Sequence, residues 1–198
     1  MVLNSKLIAL TAALLAVVFL AHAAGRFTQI GGAQFAPSIA IYTLMAYLLA
    51  KQTRWSEKIG IGFLVGVLTM LATSSPFPPA AVIAHMGGFL VACVLALAAL
   101  KKAKEISIVQ NIVIGFITTT ISWLLFAVTT WVGLTGTPFT GRAWSGLMNI
   151  NFGAGFVAWF LYGFVSVGIP TVIIVWILTP ILYRAVKPAL VRQGMLTA

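Results

Sequence analysis

Apolar residues run in six long stretches broken by short polar connections: Leu7–Ala24, Phe35–Ala50, Ile59–Thr73, Pro79–Leu100, Ile106–Val132 and Gly155–Tyr183. Runs of this length without strict alternation predict helices, and a helix needs about 20 residues at 1.5 Å each to cross about 30 Å of hydrocarbon. The second and third runs are short by that measure. They are expected to draw in flanking residues such as Trp55, or to sit where the bilayer thins. The last run is long and carries Pro170 and Pro180, which predicts a tilted or kinked helix. The alternating pattern of a membrane β-barrel is absent. Lys6 ahead of the first run resembles the start of a signal peptide, but no polar cleavage region follows, so the segment reads as a retained helix. The pattern predicts one all-α domain over residues 1–198, a polytopic membrane protein with six transmembrane helices.

Composition sharpens this picture. Of 198 residues, 61% are hydrophobic and 7% charged, against roughly 25% charged in soluble domains. That excludes a soluble enzyme, a disordered chain and a disulfide scaffold, and the single cysteine, Cys93, lies in an apolar run. The net charge of +10 would suit nucleic acid, but the basic residues sit in clusters between apolar runs. Alternate connections and the two ends hold Lys6; Lys51, Arg54 and Lys58; Lys101, Lys102 and Lys104; and Arg184, Lys187 and Arg192. The opposite connections hold only Arg26 and Arg142. Lys and Arg mark the cytoplasmic side, so both termini are expected in the cytoplasm. The outer connections are the elaborate ones, above all the stretch from Gly133 to Ala154, and long connections of this kind are commonly functional.

The chemistry available is narrow. Glu57 and Glu105 are the only acids, both in basic turns, and there is no Asp. Paired-acid catalysis, carboxylate metal sites and the intramembrane carboxylates common in proton-driven transporters are therefore missing. No Gly-rich phosphate loop ends in Lys-Ser or Lys-Thr, so uphill movement of a solute needs energy from a partner. No enzymatic activity, cofactor or metal is expected. His22 and His85 fall near the outer ends of their runs, at similar depth. Such a pair suits hydrogen bonding within a polar outer cavity, contact with a substrate, a proton step, or ligation of a haem or metal.

Two further patterns bear on partners and ligands. Ala9, Ala12, Ala13 and Ala16 give two small-xxx-small pairs on the first run, a close-packing face for either another helix of this chain or a docking partner. Gly62 and Gly66 repeat the spacing on the third run, where an internal role is expected. The fifth run carries Thr118, Thr119, Thr120, Ser122, Thr129 and Thr130 with Trp123 and Trp131. Hydroxyls there either bond back to their own helix or face a site. Uncharged hydrogen-bonding groups near tryptophans at the outer face suit a pocket for a flat, largely neutral ring compound. The candidate contacts are Gln34, Ser74, His85, Thr130, Trp131, Trp144, Asn149 and Asn151, with Arg142 available for a carboxylate.

The six-run pattern, the alanine face, the decorated outer connections and the absence of an ATP motif together resemble the substrate-binding S component of an energy-coupling factor (ECF) transporter. Within that group, residues 66–78 (GVLTMLATSSPFP) are similar to the Gly-rich third helix of the tryptophan-transporter-like members, and residues 167–183 (VGIPTVIIVWILTPILY) to their closing helix. After Phe-Pro that family continues with Gly, Gln and Asn, whereas here Pro79-Ala-Ala follows; position two is Val2, not the histidine of metal-specific relatives. The resemblance implies a prokaryotic plasma-membrane protein that binds a small aromatic or vitamin-like molecule at its outer face. It also implies docking through the first-helix alanines onto a transmembrane T component driven by ATPase subunits. Two rival readings stand beside it: an accessory subunit of a larger membrane complex, which would bind no ligand when isolated, and a membrane enzyme or haem protein.

Overall fold

The computed structural model describes residues 5–25, 27, 29–30, 33–73, 75, 77–103, 105–134 and 155–196. They form α1 (Ser5–Gly25), a two-strand hairpin of β1 (Gln29–Ile30) and β2 (Ala33–Gln34), α2 (Pro37–Leu49), α3 (Trp55–Ala72), α4 (Pro79–Lys102), α5 (Ile108–Leu134), α6 (Phe156–Gly163) and α7 (Ile169–Arg192). A π turn, Phe164–Gly168, joins α6 to α7. In the hairpin Gln29 pairs with Gln34 and Ile30 with Ala33, antiparallel. Among the described residues, five helical segments are long and apolar enough to cross a membrane, α6 to α7 counting as one of 37 residues. The molecule is an all-α, polytopic membrane protein.

Large apolar side chains such as Ile8, Leu20, Phe63, Leu71, Val109 and Ile177 stand exposed around the bundle. Only a lipid surround makes so much apolar surface stable. On α1, Leu7, Leu10, Leu14 and Val18 are buried at helical spacing, while Ala9, Ala12, Ala13 and Ala16 are all exposed. The alanine face therefore points away from the bundle, and the internal-packing reading of it has no support. Gly62 and Gly66 do the internal packing instead: a Cβ on Gly66 would lie 2.6 Å from the Val82 carbonyl oxygen, and one on Gly62 3.1 Å from the Phe89 ring. Absence of both side chains lets α3 and α4 meet backbone to backbone.

α2 departs from the expected span. It starts at Pro37, whose missing N–H costs nothing in the first helical turn, and ends at Leu49. Its thirteen residues extend about 20 Å, short of the about 30 Å of hydrocarbon. Every residue from Ser38 to Leu49 is buried, against α1, α4, α5 and α7. A helix apolar on all sides belongs in the middle of a bundle. α3 does extend back to Trp55 as expected, and its start is fixed by the Arg54 N–H donating to Glu57 Oε2 at 2.6 Å.

The last helical stretch is interrupted where a proline demands it. Pro170 offers no N–H to the carbonyl of Ser166, and its ring crowds that turn; the π turn, widened by one residue, lies there. Further on, Pro180 deprives the Trp176 carbonyl of its intrahelical donor. Asn111 Nδ2 donates to that carbonyl at 3.3 Å, and Asn111 Oδ1 accepts from the Tyr47 hydroxyl at 3.0 Å. Trp176 Nε1 returns a bond to the Ile112 carbonyl at 2.9 Å. α2, α5 and α7 are thus locked together at the pole that carries the basic turns. There, too, Lys6 Nζ donates to the Gln193 carbonyl at 3.1 Å, bringing the two ends of the described chain to the same pole.

Candidate functional site

Away from the basic turns the helices diverge around a cavity of about 810 Å³, its open mouth included. Its wall takes His22 and Gly25 from α1, Gln34 to Ala36 and Ile39 from the hairpin and α2, and Ala72, Thr73 and Ser75 from the end of α3. Ala84 and His85 come from α4, and Val167, Gly168 and Thr171 from the π turn and α7. α5 supplies Thr119, Ser122, Trp123 and Phe126, which are spaced i, i+3, i+4, i+7 and so share one helix face. No Asp, Glu, Lys or Arg is among these lining residues.

The two histidines meet in this wall, at 4.9 Å between ring centroids and nearly perpendicular. They differ in how they are held. His22 Nδ1 shares a 3.0 Å hydrogen bond with Ser38 Oγ, which fixes its ring. His85 is 7% exposed, and its Nδ1 has no hydrogen-bond partner. Its other ring neighbour is Tyr42, 5.8 Å away, on α2. Tyr42 and Ser122 crowd under His85 because Gly88, one turn along α4, has no side chain: a Cβ there would stand 2.5 Å from the Tyr42 hydroxyl oxygen and 3.0 Å from Ser122 Cβ. Thr119 is 1% exposed and its hydroxyl also lacks a partner, as do those of Thr118, Thr120 and Thr130. Elsewhere the back-bonding expected of membrane hydroxyls is seen: Thr11, Thr53, Thr69 and Ser166 each donate to a carbonyl four residues earlier.

One side of the cavity is an aromatic plate. Trp123 stacks on Phe126 (5.8 Å) and on Trp159 of α6 (6.1 Å), and its Nε1 donates to the Phe160 carbonyl at 3.2 Å. The indole rests directly on Gly163, the last residue before the π turn, where any Cβ would collide with it.

Of the residues expected from sequence to form the pocket, Gln34 and His85 line it. Thr130 is fully buried outside the lining, and Trp131 packs in the aromatic cluster against Phe156 and Trp159. Ser74, Arg142, Trp144, Asn149 and Asn151 lie outside the described residues. Thr119, Ser122 and Trp123, weighed in the sequence as back-bonded or site-facing but not among the expected contacts, line it and share one helix face with Phe126. Ser38 and Tyr42, which brace the two histidines from α2, carried no sequence signal. Among the described residues no three of His, Cys, Asp and Glu gather as a metal site would require.

Fold and site together define a multi-pass membrane helix bundle with a cavity between its helices, whose described lining carries no charged side chain. Comparison with protein-family models, with curated proteins and with solved structures gives no match.

Proposed function

We propose that this chain is the substrate-binding membrane subunit of an ATP-driven uptake transporter of the ECF type, taking up a small aromatic or vitamin-like molecule. The reading makes it a binding subunit, not an enzyme. It has six crossings, α2 being the short one, with both termini on the cytoplasmic side of a prokaryotic plasma membrane. The observation that carries it is the position of the cavity: it lies at the pole away from Lys51, Arg54, Lys58, Lys101 and the chain ends. By the distribution of basic residues that pole faces outward. The meeting of Lys6 with Gln193 supports an even number of crossings. The outward-facing Ala9, Ala12, Ala13 and Ala16 support docking of a T component along α1.

The test is co-purification of the tagged chain with the T component and ATPase subunits of its own cell. The native chain is expected to bring them down. Ala13→Trp, on an exposed face, is expected to abolish association and leave the thermal unfolding of the isolated chain unchanged. Recovery of a different set of membrane subunits in their place, with no ligand bound by the isolated chain, establishes the accessory-subunit reading instead.

A further inference from the structure

We infer that the segment from Gly163 to Pro170 is a hinge, and that α6 swings on it against α5 to open and close the cavity. The inference concerns access to the cavity and holds for whatever the cavity takes.

The first observation is how weakly this segment is built as a helix. The Ile169 N–H donates to the Phe164 carbonyl, one residue further back than in an α-helix. Pro170 brings no N–H to the Ser166 carbonyl. Ser166 Oγ donates to the Tyr162 carbonyl at 2.7 Å, a back-bond of the kind that bends helices. Helices bend at prolines, at π turns and where a side chain competes for the backbone, and all three causes fall together here. At its other end α6 starts from Gly155, whose φ of 90° and ψ of 158° suit glycine alone. The eight residues of α6 are thus bounded by a pivot on each side.

The second observation is the different hold on the two sides of the hinge. Beyond it α7 is tied by directional bonds. Thr171 Oγ1 accepts from the Ala36 N–H at 3.1 Å, Thr179 donates to the Ala40 carbonyl at 3.2 Å, and Trp176 is bonded both ways with α5. α6 meets α5 through rings instead: Phe156 and Trp159 on Trp131 at 5.4 and 6.1 Å, and Trp159 on Trp123 at 6.1 Å. Ring contacts are favourable over a range of offsets and distances, whereas hydrogen bonds weaken steeply off their geometry. The Trp123 Nε1 bond to the Phe160 carbonyl, at 3.2 Å, is the latch between the two helices.

Third, hinge and latch both belong to the cavity wall. Val167, Gly168 and Thr171 line it at the hinge, and Trp123 lines it at the latch. When α6 swings out, Trp159 and the Phe160 carbonyl leave the indole, and Trp123 is released to turn aside. Ala84, packed in the same cluster and 1% exposed, is then uncovered.

The experiment is distance measurement by pulsed electron paramagnetic resonance on the purified full-length chain in lipid nanodiscs, with Cys93→Ala as background. One label pair, Leu161→Cys with Ile83→Cys, joins exposed positions of α6 and α4; the control pair, Ile177→Cys with Ile83→Cys, reports on α7 beyond the hinge. The control is expected to give one narrow distance, and the α6 pair a second, separate one. Trp123→Phe keeps a ring but removes the latch bond, and is expected to raise the second population about fivefold. Pro170→Ala returns an N–H to the turn and is expected to lower it. Access is read separately from the rate at which Ala84→Cys reacts with a small cationic thiosulfonate, expected to rise about fivefold in Trp123→Phe and to fall in Pro170→Ala. A single narrow α6 distance in both the unlatched and the native chain overturns the hinge. A reaction rate at Ala84→Cys that neither variant changes overturns the control of access. Thermal unfolding identifies a variant that fails to fold, and Pro170→Ala, which acts in the opposite direction, keeps the test decisive if Trp123→Phe is lost.

Discussion

The two poles of the bundle treat their polar groups in opposite ways. Near the basic pole the described donors form a chain of bonds: Tyr47 to Asn111, Asn111 to the Trp176 carbonyl, Trp176 to Ile112, Thr53 to Leu49. Even the buried Lys58 ammonium donates to the Thr53 carbonyl and lies over the Trp55 ring at 5.2 Å. Lys187 and Glu105 pair at 3.6 Å. Towards the cavity the pattern is mixed: His22 and Trp123 are bonded, but His85, Thr118, Thr119 and Thr130 are buried with polar atoms unmatched. Satisfied networks make one arrangement unique; unsatisfied ones raise the free energy of the folded protein. The contrast teaches that the polar groups described near the basic pole hold the helices together, while those described above it include several that contribute no bond to the bundle.

Three substitutions break or sharpen this contrast. The largest effect is expected from Gly66→Leu, on the α3–α4 seam that runs between the poles. The new side chain meets the Val82 backbone, which cannot step aside, so a loss of about 3 kcal/mol or more is expected. Denaturant unfolding in detergent micelles measures it; a loss under about 1 kcal/mol would show that the seam is not what joins the two ends. Next is Asn111→Leu, which orphans both the Tyr47 hydroxyl and the Trp176 carbonyl. About 1–2 kcal/mol is expected to go, since pairs inside membranes contribute modestly. A double-mutant cycle with Tyr47→Phe should show coupling. Smallest is Thr119→Val, where no bond is lost and the shape is kept: unfolding is expected to stay within about 0.5 kcal/mol of the native protein, or to improve. If Thr119→Val instead destabilises as much as Asn111→Leu, the two poles do not differ as described.

Much of the bundle was legible in the sequence, because hydropathy reports directly on lipid contact. The runs 7–24, 79–100 and 106–132 became Ser5–Gly25, Pro79–Lys102 and Ile108–Leu134 with ends displaced by two residues at most. The last run was expected to end at Tyr183, yet α7 continues to Arg192. Arg184 and Lys187 end the apolar run but are good helix formers, and hydropathy does not distinguish a helix leaving lipid from a helix ending. The run 35–50 likewise became Pro37–Leu49, but its full burial was not legible, because a helix buried in protein is as apolar as one in lipid. The site was half legible. Equal depth brought out His22 and His85, since distance along two antiparallel helices fixes level. Rotation about each axis decides which hydroxyl faces which neighbour, and that is set by packing: Thr130 and Thr119 look alike in sequence, eleven residues apart, but only Thr119 reaches the cavity.

The short central helix has a consequence for how the protein is made. A segment of 13 residues has little hold on a bilayer by itself, and α2 has no face suited to lipid. Of its neighbours only α1 leaves the ribosome before it; α4, α5 and α7 come later. Until α7 arrives to accommodate Tyr47 against Tyr183 and to set the Thr179 hydroxyl on the Ala40 carbonyl, the middle of the bundle is unfinished. Closure of this core therefore waits for α7: a chain cut short before α7 carries a core without a wall, and is expected to be a ready substrate for membrane quality-control proteolysis.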